Sequence, residues 1–160
     1  VQITNPNFKE AFFLSVQQVE LSKYNFYSGV FFPIFRERDF TFNLRKRDIL
    51  DKLSFRKNKT RFKIGNSEID TKIYIETNND IEMHKHCSSS GIQYDVINYL
   101  DQEKVLNIGF NQINPLINHQ NRKPKYLSVY LMDEWMLEKN LIQSSFLIAK
   151  NIFDKLINIR

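Results

Sequence analysis

His84, His86 and Cys87 fall within four consecutive residues, and with Asp80 one helical turn upstream they supply the residue types of a thiol active site. On a helix, Asp80, His84 and Cys87 share a face, whereas His84 and His86 point to nearly opposite sides. Both imidazoles would therefore meet one metal ion only on an extended chain. Three residues on one helix do not readily present nucleophile, base and orienter to one substrate, so a partly buried thiol beside a surface histidine is the simpler reading. His119 stands alone in a polar stretch. A second kind of chemistry is carried by charge. Residues 36–63 hold eleven of the twenty-three Lys and Arg against four acids, a local +7 in a chain of net +5, and leave the remainder at −2. The candidate contacts are Arg45, Lys46, Arg47, Arg56, Lys57, Lys59, Arg61 and Lys63, interleaved with Phe40, Phe42, Phe55 and Phe62. Such a stretch can bind phosphates through its cations while its aromatics stack on bases, or lie against anionic lipid. If the phenyl groups are consumed by a core, it is a solvated basic face.

The run Gly65-Asn66-Ser67-Glu68-Ile69-Asp70, in the pattern Gly-x-x-Glu-Ile-Asp, resembles the strand that carries the metal-binding Asp of the PD-(D/E)xK nuclease superfamily. That resemblance implies a divalent metal ligated by Asp70, with Glu76 as the second acid and Lys72 as the nearby lysine that would assist an attacking water. The chain departs from the pattern. Five residues separate the two acids, which the family carries on paired strands; Lys72 precedes Glu76; and Asn78 occupies the place of the family's lysine. Read from its residues alone, the stretch is a half-buried strand, with Ile69, Thr71, Ile73 and Ile75 on one side and Asp70, Lys72, Tyr74 and Glu76 on the other, its charges pairing across strands.

A broader similarity covers residues 56–160. Lys63-Ile64-Gly65, Ile69-Asp70-x-Lys72-Ile73-x-Ile75, the serines at 88–90 and the strands at Leu106, Leu127 and Leu131 resemble the soluble portion of uncharacterised bacterial membrane-tethered proteins with two transmembrane helices. The resemblance implies a cytosolic domain at the inner face of a membrane, and it transfers no catalytic residues.

Totals narrow the classes further. A chain of 160 residues fits one domain that buries enough apolar surface to fold without a disulfide or metal. The single Cys87 excludes an intramolecular disulfide and is compatible with a reducing compartment. No apolar run approaches the ~20 residues of a membrane span. The opening Val1-Gln2-Ile3 is unlike a signal peptide, and an upstream anchor is an open expectation. Walker loops, dinucleotide-binding glycines, a Gly-x-Ser-x-Gly elbow and zinc spacing are all missing, which disfavours an enzyme.

The elements that must position these residues are legible from period and punctuation. Asn7 and Glu10 form a capping box, and Phe8, Phe12, Val16 and Val19 continue a helix to about Ser22. Tyr24 to Phe35 reads as a strand bent at Gly29 and Pro33, and Phe40, Phe42 and Leu44 as another; Asp48 caps a short helix through Leu53. After the Gly65-Asn66 turn and the strand that follows it, Asn79 with Glu82 opens a helix. Ser90 with Gln93 opens a second, striped by Ile92, Val96, Ile97 and Leu100. Leu106, Ile108 and Phe110 form a strand, residues 112–124 a loop, and Leu127, Val129 and Leu131 a strand. Asp133 then caps a last helix with Leu137, Leu141, Ile148, Ile152 and Leu156 inward. Eleven of fourteen Phe lie at or before Phe62 and fourteen of eighteen Ile after Ile64, so a Phe-rich, basic part (1–64) and an Ile/Leu-rich β-αα-β-β-α part (65–160) are expected.

The expected fold is α+β: a small mixed or antiparallel sheet with helices on one face, preceded by a Phe-rich helix and strands. Its other face would carry Tyr74, Tyr126 and Tyr130 beside Lys72 and Asn107, either covered by the Phe-rich part or open for binding. The preferred function is a non-catalytic binding or regulatory module without cofactor, contacting an anionic partner (lipid surface, nucleic acid or protein) through the basic stretch or the tyrosine face. The metal-dependent nuclease is one alternative, and a structural subunit self-assembling through exposed tyrosines is another.

Overall fold

The computed structural model describes residues 3–4, 11–20, 23–35, 39–48, 62–89, 96, 99–100, 106–115 and 124–157. Strands β1 (Ile3–Thr4), β2 (Phe12–Glu20), β3 (Lys23–Ile34), β4 (Phe42–Lys46), β5 (Ile73–Thr77), β6 (Asn107–Phe110) and β7 (Lys125–Met132) form one sheet in the order β1-β2-β3-β7-β6-β4-β5. Every neighbouring pair is antiparallel. Helices α1 (Ser67–Lys72), α2 (Asp80–Ser89) and α3 (Lys139–Ile157) complete the regular elements, and Val96, Tyr99 and Leu100 are also helical. The fold is α+β.

The helices lie on one face of the sheet. Ile69 of α1, Met83 and Cys87 of α2, Val96, Leu100, and Leu141, Phe146, Ile148, Ala149 and Ile152 of α3 share a single core with one side of the strands: Val30, Phe32, Leu44, Ile73, Ile75, Ile108, Leu127 and Val129. The other side gathers Phe12, Tyr27, Phe31, Ile113, Tyr126 and Tyr130 into a separate cluster. Side-chain alternation assigns them, since successive strand residues face opposite sides. Phe31, opposite Ser128, thus belongs to the second face, whereas Val30, opposite Val129, belongs to the first.

Several sequence expectations are corrected. The segment expected as a helix to Ser22 is strand β2 over Phe12–Glu20, because Phe12, Phe13 and Leu14 supply both faces of the sheet and nine residues pair with β3, from Phe12↔Phe31 to Glu20↔Lys23. The expected strand from Ile69 to Glu76 is instead helix α1 followed by β5. Asn66 caps α1, its Oδ1 accepting from Glu68 N at 3.0 Å and Ile69 N at 3.4 Å, and Gly65 turns the chain at φ +89°. Ile69 and Ile73 are four apart, so both reach the core through a helical turn as well as through a strand. Asp133 does not cap α3: it turns at φ +58° just after β7, and its N–H donates to Phe26 O at 2.8 Å. Leu137, expected inside, is 76% exposed, and α3 begins only at Lys139.

The Phe-rich and Ile-rich parts do not form separate regions, since β4 of the first sits between β6 and β5 of the second. Nor is β3 interrupted. Gly29 lies within it opposite Tyr130, and Pro33 falls beyond the last residue of β3 that pairs with β2, where a missing N–H is tolerated. The box at Asn7, the helix after Asp48, Ile92, Ile97, His119 and the side chain of Leu156 lie outside the described residues.

Candidate functional site

On the second face, the aromatic cluster of β2, β3 and β7 grades into a polar patch on β6, β4 and β5. Register places Tyr130, Asn107, Arg45 and Tyr74 in one cross-strand row, and Ser128, Gly109, Asn43 and Glu76 in the next. The Arg45 guanidinium lies 4.3 Å from the centre of the Tyr74 ring. Tyr130 donates its hydroxyl hydrogen to Asn43 Oδ1 at 3.2 Å. Burial, then the neighbouring Tyr27 and Glu76, push the Tyr130 phenol up from its ordinary range, and Arg45 opposes them only in part. Tyr130 is therefore a proton donor and a structural one. At 2% and 4% exposure, Tyr126 and Tyr130 are not an open binding face; they pack with Phe12, Tyr27 and Phe31. Only Tyr74 of the three expected tyrosines is half-exposed.

The basic residues meet at the corner formed by β4, β5 and α1. Lys46 follows Arg45 at the end of β4, opposite Ile73, and so lies next to Lys72. Arg47 donates its backbone N–H to Lys72 O at 2.8 Å and Nη1–H to Asp70 O at 3.4 Å, meeting carbonyls at the C-terminal end of α1. Lys63 enters from the other side. Phe62 N donates to Ile75 O at 3.3 Å on the outer edge of β5, and Ile64 N and Gly65 N donate to the Asp70 carboxylate at 2.9 and 3.0 Å. Both flanks of residues 49–61 are thus tied to the same short stretch, 70–75. Lys46, Lys63 and Lys72 are exposed there, and half-buried Arg45 lies on the opposite, tyrosine-bearing face of β4. Lys72 also contacts Glu68 at 3.1 Å, an exposed pair one helical turn apart. Arg56, Lys57, Lys59 and Arg61 lie outside the described residues.

Asp70 and Glu76, the acids of the nuclease resemblance, sit on different elements. The Asp70 carboxylate holds two backbone amides, Glu76 faces Asn43 across β5 and β4, and Lys72 reaches Glu68. Among the described residues, no three His, Cys, Asp or Glu side chains converge as a metal site. Cys87 is buried in a small apolar recess lined by Leu44, Ile64, Ile69, Ile73, Ile75 and Val96. Burial, and secondarily Asp70, push its thiol up to about 12, which keeps it a thiol and a poor nucleophile at neutral pH. His86 is buried and stacked on Phe40 with ring centres 5.3 Å apart, whereas exposed His84 meets the edge of Phe62 at 6.5 Å. The two imidazoles have different surroundings.

Asn107 lies on the tyrosine-bearing face, where the sequence places it, in register with Tyr130 and Arg45, whereas Asn43 is a site residue that the sequence reading passed over. Their signal is a polar residue at alternate positions of otherwise apolar strands, Phe42-Asn43-Leu44 and Leu106-Asn107-Ile108. Comparison with protein families, curated proteins and solved structures finds no match to this chain. Among the described residues no helix is long and apolar enough to cross a membrane.

Proposed function

We propose that the protein is a non-catalytic binding module that engages a phosphate-bearing, anionic partner at the β4–β5–α1 corner. The observation that carries this reading is the anchoring of both flanks of residues 49–61, the centre of the basic stretch, to residues 70–75, with Lys46, Lys63 and Lys72 exposed on those segments and Arg45 beside Tyr74 on the adjoining face. The two ends of that segment are thereby brought to one edge of the sheet, and cations that lie within the ~8 Å screening length at physiological salt act on a polyanion jointly. Tyr74 adds a half-exposed aromatic surface next to Arg45, a pairing that can stack on bases. Anionic lipid supplies phosphate without a stacking partner, which is the basis for telling the two sources apart.

The experiment is a titration of the full chain with a labelled single-stranded oligonucleotide and, separately, with vesicles of phosphatidylserine in phosphatidylcholine. The wild type is expected to bind at least one of them, and replacement of Arg45, Lys46 and Lys63 by Gln to weaken that binding roughly tenfold or more. Loss of oligonucleotide binding on Tyr74→Ala, with vesicle binding intact, would assign the partner as nucleic acid. Binding that is indifferent to the Gln substitutions would refute the corner as the contact surface.

A further inference from the structure

The connection between β7 and α3 exposes an apolar group that the fold does not require. Met132, Trp135 and Leu137 are 48%, 58% and 76% exposed, and they are three of the six large apolar side chains exposed among the described residues. The backbone beneath them is fixed. Asp133 N donates to Phe26 O at 2.8 Å and Asp133 Oδ1 accepts from Phe26 N at 3.4 Å, with the turn held at φ +58°. Met136 N donates to Ser28 Oγ at 3.0 Å, and the Met136 side chain is 1% exposed, its sulfur accepting from Ser145 Oγ at 3.6 Å. Trp135 and Leu137 therefore flank a buried anchor. Trp135 rests on Phe26 with ring centres 4.3 Å apart.

The rim decides the partner. Asp133, Glu134 and Glu138 are exposed around the apolar group and Lys139 is the only cation among residues 132–139, so this stretch is net −2 on a chain of net +5. We propose that this surface docks a segment of a protein partner that carries Lys or Arg among apolar side chains, with a cation over Trp135 and apolar groups against Met132 and Leu137. Anionic lipid is disfavoured because the three carboxylates would repel it. The site is built on a different element, the connection from β7 to α3, and has the opposite charge, so it stands whether or not the basic corner binds phosphate.

Trp135 is the sole tryptophan, and its emission reports this surface directly. The full chain is titrated with a peptide of lysine and leucine at helical spacing, with the matching glutamate–leucine peptide, and with phosphatidylserine vesicles. The expected result is a saturable blue shift with the lysine peptide alone, weakened roughly tenfold by Glu134→Lys with Glu138→Lys and, separately, by Leu137→Ser, with far-UV circular dichroism unchanged. These positions are exposed, so the variants are expected to fold. The proposal is overturned by an unmoved emission with the lysine peptide, by an equal response to the glutamate peptide or the vesicles, by indifference to the charge reversals, or by a blue shift without peptide that follows dimer formation.

Discussion

Arg45 and Tyr74 stand directly opposite each other on β4 and β5, with the guanidinium carbon 4.3 Å from the centre of the phenol ring. The pair fixes an otherwise flexible cation beside the basic corner and keeps the Tyr74 ring half-exposed. A double-mutant cycle with Arg45→Gln and Tyr74→Leu, read by urea unfolding, is expected to give a coupling of about 0.5–1 kcal/mol, the range of a partly exposed cation–π contact. A coupling indistinguishable from zero would mean that the ring and the guanidinium do not hold each other.

Gly29 is a position where no side chain fits. A Cβ there would lie 2.3 Å from Val129 O and 2.6 Å from Tyr130 Cα, both on β7. The obstacle is backbone, so β3 and β7 would have to separate. Gly29→Ala is expected to lower the unfolding free energy by about 2 kcal/mol or more, seen as a lower urea midpoint. Gly65→Ala, by contrast, meets no atom within 4 Å and is strained only through its φ of +89°, so its cost is expected to be the smaller, about 1 kcal/mol.

The carboxylate of Asp70 gathers the amides of Ile64 and Gly65 and so closes the basic stretch onto α1. Asp70→Ala is expected to reduce stability by about 1–3 kcal/mol in buffer free of divalent ions, because two part-exposed amides lose a charged acceptor. Thermal melts with and without Mg²⁺ check this. A variant as stable as wild type without metal, with wild type alone stabilised by Mg²⁺, would favour a metal-ligand role for Asp70 over a structural one.

Burial raises the Cys87 thiol from an ordinary 9.0 to about 12, so the folded protein retains this proton after the unfolded chain has lost it. The associated stability is complete below pH 9 and falls as pH rises from about 9 toward 12, by up to about 1.4 kcal/mol per pH unit. The phenols of Tyr126 and Tyr130 are also raised, from 10.0, and share in the loss as pH approaches 10, so the thiol's part over pH 9–10 is the difference between wild type and a Cys87 variant. Over that interval Cys87→Ala is expected to show a flatter stability–pH slope than wild type in urea unfolding. Iodoacetamide at pH 8 is expected to label the native thiol far more slowly than the unfolded one.

Elements whose two-residue alternation is backed by nearby punctuation were legible in the sequence. The strands through Leu106, Leu127 and Leu131 match β6 and β7, and the Asn79 cap is present, with Oδ1 accepting from Glu82 N at 3.1 Å. Strand β2 was not legible because Phe12, Val16 and Val19 satisfy a helical spacing, and only the long pairing with β3 decides against it. Helix α1 was hidden by the reverse ambiguity, since Ile69 and Ile73 suit either period and the cap at Asn66 settles the matter. Asp133 resembles a helix cap, yet its backbone and carboxylate are taken by Phe26 on a strand more than a hundred residues away. The cations of the candidate site were visible as composition. The tie of both flanks of residues 49–61 to the stretch 70–75 was not, because it depends on the pairing of β4 with β5 and on the Asp70 carboxylate.

The most direct measurement of the anionic-partner reading is the salt dependence of oligonucleotide and phosphatidylserine-vesicle binding, for wild type and for the chain with Arg45, Lys46 and Lys63 replaced by Gln. Where the nucleic acid binds, log affinity should fall linearly with log salt, and the slope should shrink by roughly one for each phosphate contact removed. Vesicle binding, if that is the partner, should weaken with salt and lose the contribution of those three cations. Wild-type binding that does not respond to salt, a slope the substitutions leave unchanged, or no binding to either polyanion at low salt would contradict the account.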